Sequence, residues 1–114
     1  MTYSIYHNPR CTKSRQGLAF LKEKGIEPEV IEYLKEIPAV DELKLVLAKL
    51  GMKPLDLVRK GEAYYKDHYK GKDLNDEEWI DAMIAYPKLI ERPIIINGNK
   101  AVIGRPTEKI LELM

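Results

Sequence analysis

The opening thirty or so residues restrict the fold more than any other part of the chain. Tyr3-Ser4-Ile5-Tyr6 reads as a short strand, followed by a turn over His7 to Arg10 that contains Pro9. The spacing predicts a helix from about Thr12 to Lys24 with Leu18, Ala19 and Leu21 on its buried side. Gly25 stands just past its end, where a left-handed residue stops a helix. Glu29-Val30-Ile31-Glu32-Tyr33 follows as a second strand. Two strands joined through one helix are parallel neighbours with a right-handed crossover, which eliminates most alternative topologies.

The middle of the chain is helical. Leu43, Val46, Leu47 and Leu50 recur at i, i+3, i+4 and i+7, and Gly51 and Pro54 end that helix. A short helix carrying Leu55, Leu57 and Val58 is expected next, then an irregular polar surface segment from Gly61 to Asp73. Asn75 and Glu78 have capping-box spacing, with Leu74 and Trp79 as a hydrophobic staple, so another helix starts there. Trp79, Ile80, Met83 and Ile84 supply its apolar face, and Pro87 ends it. Pro93-Ile94-Ile95-Ile96 and Lys100-Ala101-Val102-Ile103 flank Asn97-Gly98, a two-residue hairpin signal. Pro106 suits the first turn of a last helix with Ile110, Leu111 and Met114 inward.

The order β-α-β, helices, β-β-α describes an α/β chain with a four-stranded mixed sheet and flanking helices, the arrangement of the thioredoxin fold. At 114 residues this is one domain, with a helical insertion at about 40–90. In thioredoxin-like folds a cis-proline before the third strand faces the active cysteine, and Pro93 falls at that place.

Charge and composition remove several functions. Nineteen basic residues against eighteen acidic leave +1, which argues against a chain that mainly coats nucleic acid or anionic membrane. Tyr64, Tyr65 and Tyr69 lie among Lys60, Lys66, Lys70 and Lys72, but Glu62, Asp67 and Asp73 dilute that charge, so a solvated segment is expected there. No apolar run approaches the about 18–20 residues of a membrane span, and no targeting segment is visible; the expected location is the cytoplasm. There is no G-x-G-x-x-G or Walker loop for a nucleotide, and His7, Cys11 and His68 lack metal-ligand spacing. No bound cofactor or metal is expected.

Cys11 is the sole cysteine, so no internal disulfide, C-x-x-C pair or cysteine-rich zinc site exists. It lies between a strand end and a helix start, where unpaired N–H groups and the helix dipole favour a thiolate. Arg10, Lys13 and Arg15 add positive charge, and His7 can hydrogen-bond or electrostatically support the sulfur. Ser14 occupies the position of a second C-x-x-C cysteine; its hydroxyl can cap the helix or donate to the thiolate but cannot resolve a disulfide. The alternative is that Cys11 is simply a small buried hydrophobe. Arg59, Arg92 and Arg105 each end a predicted element beside apolar sequence. An arginine fork matches a tetrahedral oxyanion, although singly each is an ordinary surface arginine.

The segment Tyr6-His7-Asn8-Pro9-Arg10-Cys11, with Ser14-Arg15, closely resembles the active-site start of the glutaredoxin-dependent arsenate reductases. So do Leu57-Val58-Arg59-Lys60, Glu91-Arg92-Pro93-Ile94 and Ile103-Gly104-Arg105-Pro106. Order and spacing hold over nearly the whole chain, which looks like a short form of that family. The resemblance implies a thioredoxin-like core with a helical insertion and an oxidoreductase that reduces arsenate to arsenite. It implies that Cys11 attacks arsenate as a thiolate, that His7 and Ser14 support that thiolate, and that Arg59, Arg92 and Arg105 bind the oxyanion. Glutathione as co-substrate then attacks the adduct, and glutaredoxin removes the glutathione. Two alternatives share the scaffold. One is a glutathione-linked thiol oxidoreductase without arsenate specificity. The other is a redox-sensing transcription regulator that binds RNA polymerase, whose best-known example uses a C-x-x-C switch that Cys11-Thr12-Lys13-Ser14 lacks.

Overall fold

Four strands form one mixed sheet in the order β2-β1-β3-β4 in the computed structural model, which describes residues 2–114. Strand β1 (Tyr3–Tyr6) runs parallel to β2 (Glu29–Ile31) and antiparallel to β3 (Ile94–Asn97), which in turn pairs antiparallel with β4 (Lys100–Ile103). The crossover between β1 and β2 is helix α1 (Thr12–Glu23). These elements and the C-terminal 3₁₀ segment (Thr107–Leu113) belong to one compact unit, built from residues up to Glu36 and Arg92–Met114. Residues Ile37–Glu91 form a second, helical unit.

The core of the sheet unit is Ile5, Leu21, Ile95, Ile110 and Leu113, with Tyr3, Leu18, Phe20, Ile26 and Val102 packed around it. On α1 the buried stripe is Ser14, Gly17 and Leu21; Ala19, expected inward, is exposed. The stripe follows i, i+3, i+7, and its two small residues let the helix approach the sheet closely. Gly17 is the place where this matters: a Cβ there would sit 3.0 Å from Cγ of Pro93.

Strand β2 stops at Ile31 rather than Tyr33. The Glu32 carbonyl accepts from the N–H groups of Lys35 (2.9 Å) and Glu36 (2.8 Å), which turns the chain. Tyr33 is buried instead by packing, its ring 6.1 Å from that of Tyr6.

The hairpin turn lies one residue later than the Asn-Gly motif suggests. Asn97 pairs with Lys100, so Gly98 and Asn99 make the turn, and Gly98 has φ 63° while no described non-glycine residue has positive φ. Positive φ at the first turn position alone is the II′ pattern rather than I′. Asn97 is thereby freed for a tertiary role: its Nδ2 donates to the Leu113 carbonyl at 2.8 Å. Tyr3 donates to the same oxygen at 3.4 Å.

The last helix is 3₁₀, not α, and this changes which residues face inward. With three residues per turn, positions i and i+3 eclipse. Ile110 and Leu113 are therefore buried, whereas Leu111 and Met114, expected inward on α spacing, are 48% and 52% exposed.

In the helical unit, α2 (Val40–Leu50) buries Leu43, Val46 and Leu47 and ends on Gly51 at φ 68°. Helix α3 is Pro54–Leu57, and α5 (Asp76–Ala85) starts with the expected capping box. Glu78 N–H donates to Asn75 Oδ1 at 2.8 Å, and Asn75 N–H donates to Glu78 Oε1 at 3.0 Å. The segment Gly61–Asp73 is not irregular throughout: Ala63–His68 forms helix α4. No residue of α4 is buried, so it has no apolar stripe for periodicity to detect. Ring packing holds it instead. Tyr64 stacks on Tyr86 with centroids 3.9 Å apart, and Tyr65 and the following Tyr69 pack on Trp79 at 6.2 and 5.7 Å.

The 3₁₀ register gives a direct test. Ile110→Ala is expected to cost about 2–5 kcal/mol in urea unfolding, while Leu111→Ala stays within about 0.5 kcal/mol. Equal losses would show that the segment packs with α periodicity.

Candidate active site

Strand β1 ends at Tyr6, and the loop that follows is tied by its own backbone. Cys11 N–H donates to the Asn8 carbonyl at 2.9 Å, and Arg10 N–H donates to Asn8 Oδ1 at 3.0 Å. Cys11 is the N-cap of α1, in extended conformation, and its carbonyl accepts the first helical bond from Arg15 N–H at 3.0 Å. A thiol is a poor cap, and the Cys11 side chain makes no close capping hydrogen bond, although its sulfur faces the first N–H groups of the helix. The sulfur is partly exposed and free.

Ser14 and His7 lie beneath this loop, Ser14 fully buried and His7 nearly so. Ser14 Oγ accepts from Asn8 N–H at 2.9 Å and lies 2.6 Å from His7 Nδ1. In the neutral tautomer that carries its proton on Nε2, the hydroxyl donates to Nδ1. The Ser14 hydroxyl is thus engaged inside the loop, and what Ser14 presents to Cys11 is its backbone N–H. His7 N–H donates to the Ile31 carbonyl at 2.8 Å, which fastens the loop to β2.

Arg92 and Arg105 reach the same end of the sheet from the other two strands. Arg92 precedes β3, and Arg105 follows β4 by two residues. Arg105 Nε donates to the Arg92 carbonyl at 2.7 Å, and its Nη2 makes a long, weak contact of 3.8 Å with Cys11 Sγ. Arg92 also lies close enough to the sulfur to favour its thiolate, while its Nε is buried with no partner. The Arg92–Pro93 bond is cis, and so is Arg105–Pro106, which sequence reasoning did not single out. Pro93 is packed by two glycines. A Cβ on Gly104 would lie 2.9 Å from Ile95 Cδ1 and 3.2 Å from Pro93 Cγ, the same proline atom that a Cβ on Gly17 would meet at 3.0 Å. Gly104 N–H donates to the Pro93 carbonyl at 2.9 Å.

The electrostatics favour a thiolate. Burial is the largest single influence on Cys11 and pushes its thiol up. The Ser14 N–H, the charge and hydrogen bond of Arg92, and the Lys13 N–H together outweigh it and hold the thiol below its ordinary value. Burial also dominates at His7 and drives the imidazole toward its neutral form. Glu32 opposes this, and Arg15 and Lys22 reinforce it.

Arg59 belongs to the helical unit. Its Nη1 is 3.2 Å from Glu62 Oε2, its N–H donates to the Leu89 carbonyl at 2.6 Å, and Val58 before it bridges Ile90. Sequence reasoning missed Asn8, which receives or makes three of the loop bonds. An Asn two residues before Arg10 in a proline turn was a usable signal for it. It also missed Gly17 and Gly104, whose small size has no meaning until Pro93 is placed against both of them. Among the described residues no group of His, Cys, Asp and Glu gathers as a metal site, and no helix is long and apolar enough to cross a membrane.

The ArsC family profile matches residues 6–113. An arsenate reductase of Haemophilus influenzae is 43% identical over 116 residues, covering all of both chains. The chain belongs to the ArsC family. A solved arsenate reductase from Vibrio cholerae superposes with a TM-score of 0.95 at 44% identity, covering 100% of this chain and 98% of that one. A further relative, the uncharacterized protein YfgD of Escherichia coli, is 46% identical over 96% of this chain and 94% of its own length. The thioredoxin-like ArsC architecture therefore holds for this chain from the first strand to the last turn.

Two measurements test the site. Ultraviolet titration of the thiolate should place the Cys11 midpoint below the ordinary thiol value, and Arg92→Gln should raise it. The sign for stability follows from linkage. A depressed folded-state pKa contributes stability that is complete above the unfolded thiol value and is lost as pH falls through the folded midpoint. Arg92→Gln should therefore destabilise more at alkaline than at acidic pH. Separately, Gly104→Ala should cost about 1–3 kcal/mol through crowding against Ile95 and Pro93, read by urea unfolding.

Proposed function

We propose that this chain reduces arsenate to arsenite through Cys11, with glutathione and glutaredoxin as the external reductants. The observation that carries the reading is the pair Arg92 and Arg105 converging on the sulfur of the only cysteine, in a chain of the ArsC family. Arsenate is an anion, so it approaches a thiolate only where positive charge offsets the repulsion. Arg92 supports this role because its buried Nε has no acceptor within the protein. Arg105 retains donors beyond the one it spends on the Arg92 carbonyl.

The Cys11 thiolate attacks arsenic; an S–As bond forms, and one arsenate oxygen leaves as water after taking up protons. The pentavalent adduct then meets a glutathione thiolate, which attacks the Cys11 sulfur. The S–S bond forms as the S–As bond breaks, and its electron pair passes to arsenic, leaving arsenite. Cys11 remains as a mixed disulfide with glutathione. A glutaredoxin thiolate attacks the glutathione sulfur, and Cys11 leaves as thiolate. The sequence contains no second cysteine to perform the resolving step internally. This cycle needs the reducing conditions of a cytoplasm. The arginines stabilise the oxygen charge that builds as arsenic is reduced. The buried His7–Ser14 pair holds the loop, and with it the Ser14 N–H, in place around the sulfur. By the motif resemblance, Arg59 is proposed as a third oxyanion contact.

Purified protein supplied with arsenate, glutathione, glutaredoxin and a reducing system should turn over arsenate, and Cys11→Ser should abolish it. Arg92→Ala or Arg105→Ala should lower turnover by about 10²–10³-fold. A small loss in both arginine variants, with mixed-disulfide reduction intact, would instead support a thiol oxidoreductase without oxyanion specificity. No arsenate-dependent turnover above the Cys11→Ser control would sink the proposal.

A further inference from the structure

Asn8 is the joint of the loop that presents Cys11. Its N–H donates to Ser14 Oγ at 2.9 Å, which fastens it to the buried Ser14–His7 pair. Pro9 has no N–H, so the chain from Asn8 to the helix N-cap offers two backbone donors, those of Arg10 and Cys11. Asn8 accepts both. Its Oδ1 takes the Arg10 N–H at 3.0 Å, and its carbonyl takes the Cys11 N–H at 2.9 Å. One residue therefore links the buried tether to the backbone of the nucleophile.

The acceptors of this loop are all uncharged. From His7 to Phe20 the sequence holds no Asp or Glu. The bonds that fix the loop run instead to the Asn8 amide and carbonyl, to Ser14 Oγ, and to the Pro9 carbonyl, which accepts from Arg15 at 2.9 Å. A side-chain oxygen that bonds the N–H two residues on is a turn that Asp forms as well as Asn, and Ser more weakly. A carboxylate is the stronger acceptor of the two. On holding power alone, Asp is at least the equal of Asn at position 8. Charge separates them. The charged groups that face the sulfur are Arg92, ahead of β3, and Arg105, after β4, and both are positive. A carboxylate at position 8 would oppose them, disfavouring the thiolate.

We infer that Asn8 is the positioning residue of the nucleophile loop, and that its neutral carboxamide fixes the backbone leading into Cys11 without setting a negative charge beside the sulfur. The inference rests on Cys11 acting as the thiolate nucleophile proposed above, but not on which oxyanion that thiolate meets. Asn8 touches no reacting atom. It acts through the Arg10 and Cys11 backbone, which sets the direction of the sulfur toward the Lys13 and Ser14 N–H groups.

The test follows alkylation of Cys11 by neutral iodoacetamide across pH in the wild type, Asn8→Asp, Asn8→Ser and Asn8→Ala. Each protein is also titrated for its thiolate by ultraviolet absorbance and unfolded in urea at a pH where the thiol is protonated. Asn8→Ala loses the side-chain acceptor and should lower both the urea midpoint and the alkylation rate. Asn8→Ser, a shorter neutral acceptor, should recover part of both. Asn8→Asp should keep or raise the urea midpoint and still slow alkylation. A unit negative charge roughly 8 Å from the sulfur lowers the thiolate population by about three- to tenfold at a pH below the midpoint. Asn8→Asp should lose that factor there and regain it at alkaline pH. High NaCl should also restore much of it, while leaving the Asn8→Ala loss in place. An Asn8→Asp protein that alkylates like the wild type at every pH overturns the inference, and so does one that unfolds at lower urea. An Asn8→Ala protein with the wild-type titration and rate overturns it as well. Because no oxyanion enters this assay, its failure is separate from failure of the arsenate turnover experiment.

Discussion

The antiparallel pairing of β1 with β3 is the constraint on which the rest of the site depends. Tyr6, the last residue of β1, pairs with Ile94, the first of β3. That register sets the loop leaving β1 beside the segment entering β3, which brings Cys11 to Arg92 across some eighty residues of sequence. The next ladder adds the third member. Ile94 pairs with Ile103, so the chain leaving β4 delivers Arg105 to the same end of the sheet. A shift of one residue in either ladder would turn the strand side chains to the opposite faces and withdraw the arginines from the sulfur. The buried run Ile94, Ile95 and Ile96, apolar toward both faces, resists such a shift only through the packing of its neighbours.

Around that frame the chemistry is a contest between desolvation and donors. Partial burial opposes ionisation of Cys11, and it also strengthens every donor that faces the sulfur. The donors prevail because they are fixed before any substrate arrives. Ser14 is buried and tethered to His7 and Asn8, and the Arg105 guanidinium is oriented by the Arg92 carbonyl. Preorganised donors need no rearrangement as charge develops, which is where such sites are most effective. His7 fits the same logic as a neutral, buried tether within the loop.

The elements with strong local chemistry could be read from the sequence. The capping box of Asn75 and Glu78 forms as expected, because it satisfies two otherwise orphaned N–H groups within four residues. Gly51 ends α2 for an equally local reason, a left-handed backbone. The misreadings arose where a neighbour distant in sequence decided the outcome. Asn97 left the turn to bind the Leu113 carbonyl, and Tyr33 left the ladder to pack against Tyr6. Helix α4 formed on the rings of Trp79 and Tyr86 without a buried face of its own.

The candidate site divides along the same line. Cys11, His7, Ser14, Arg59, Arg92 and Arg105 were all visible as residues, because a lone cysteine at a strand-to-helix turn and arginines at element ends are local facts. The sequence by itself determined that any disulfide chemistry at Cys11 must involve an outside thiol, since no second cysteine exists to supply one. Only the tertiary structure decided that Arg92 and Arg105 meet at its sulfur, that Ser14 serves through its backbone rather than its hydroxyl, and that Gly17 and Gly104 must be small. Composition is a property of the chain alone, whereas convergence is a property of strand register, and register is set by long-range pairing and packing.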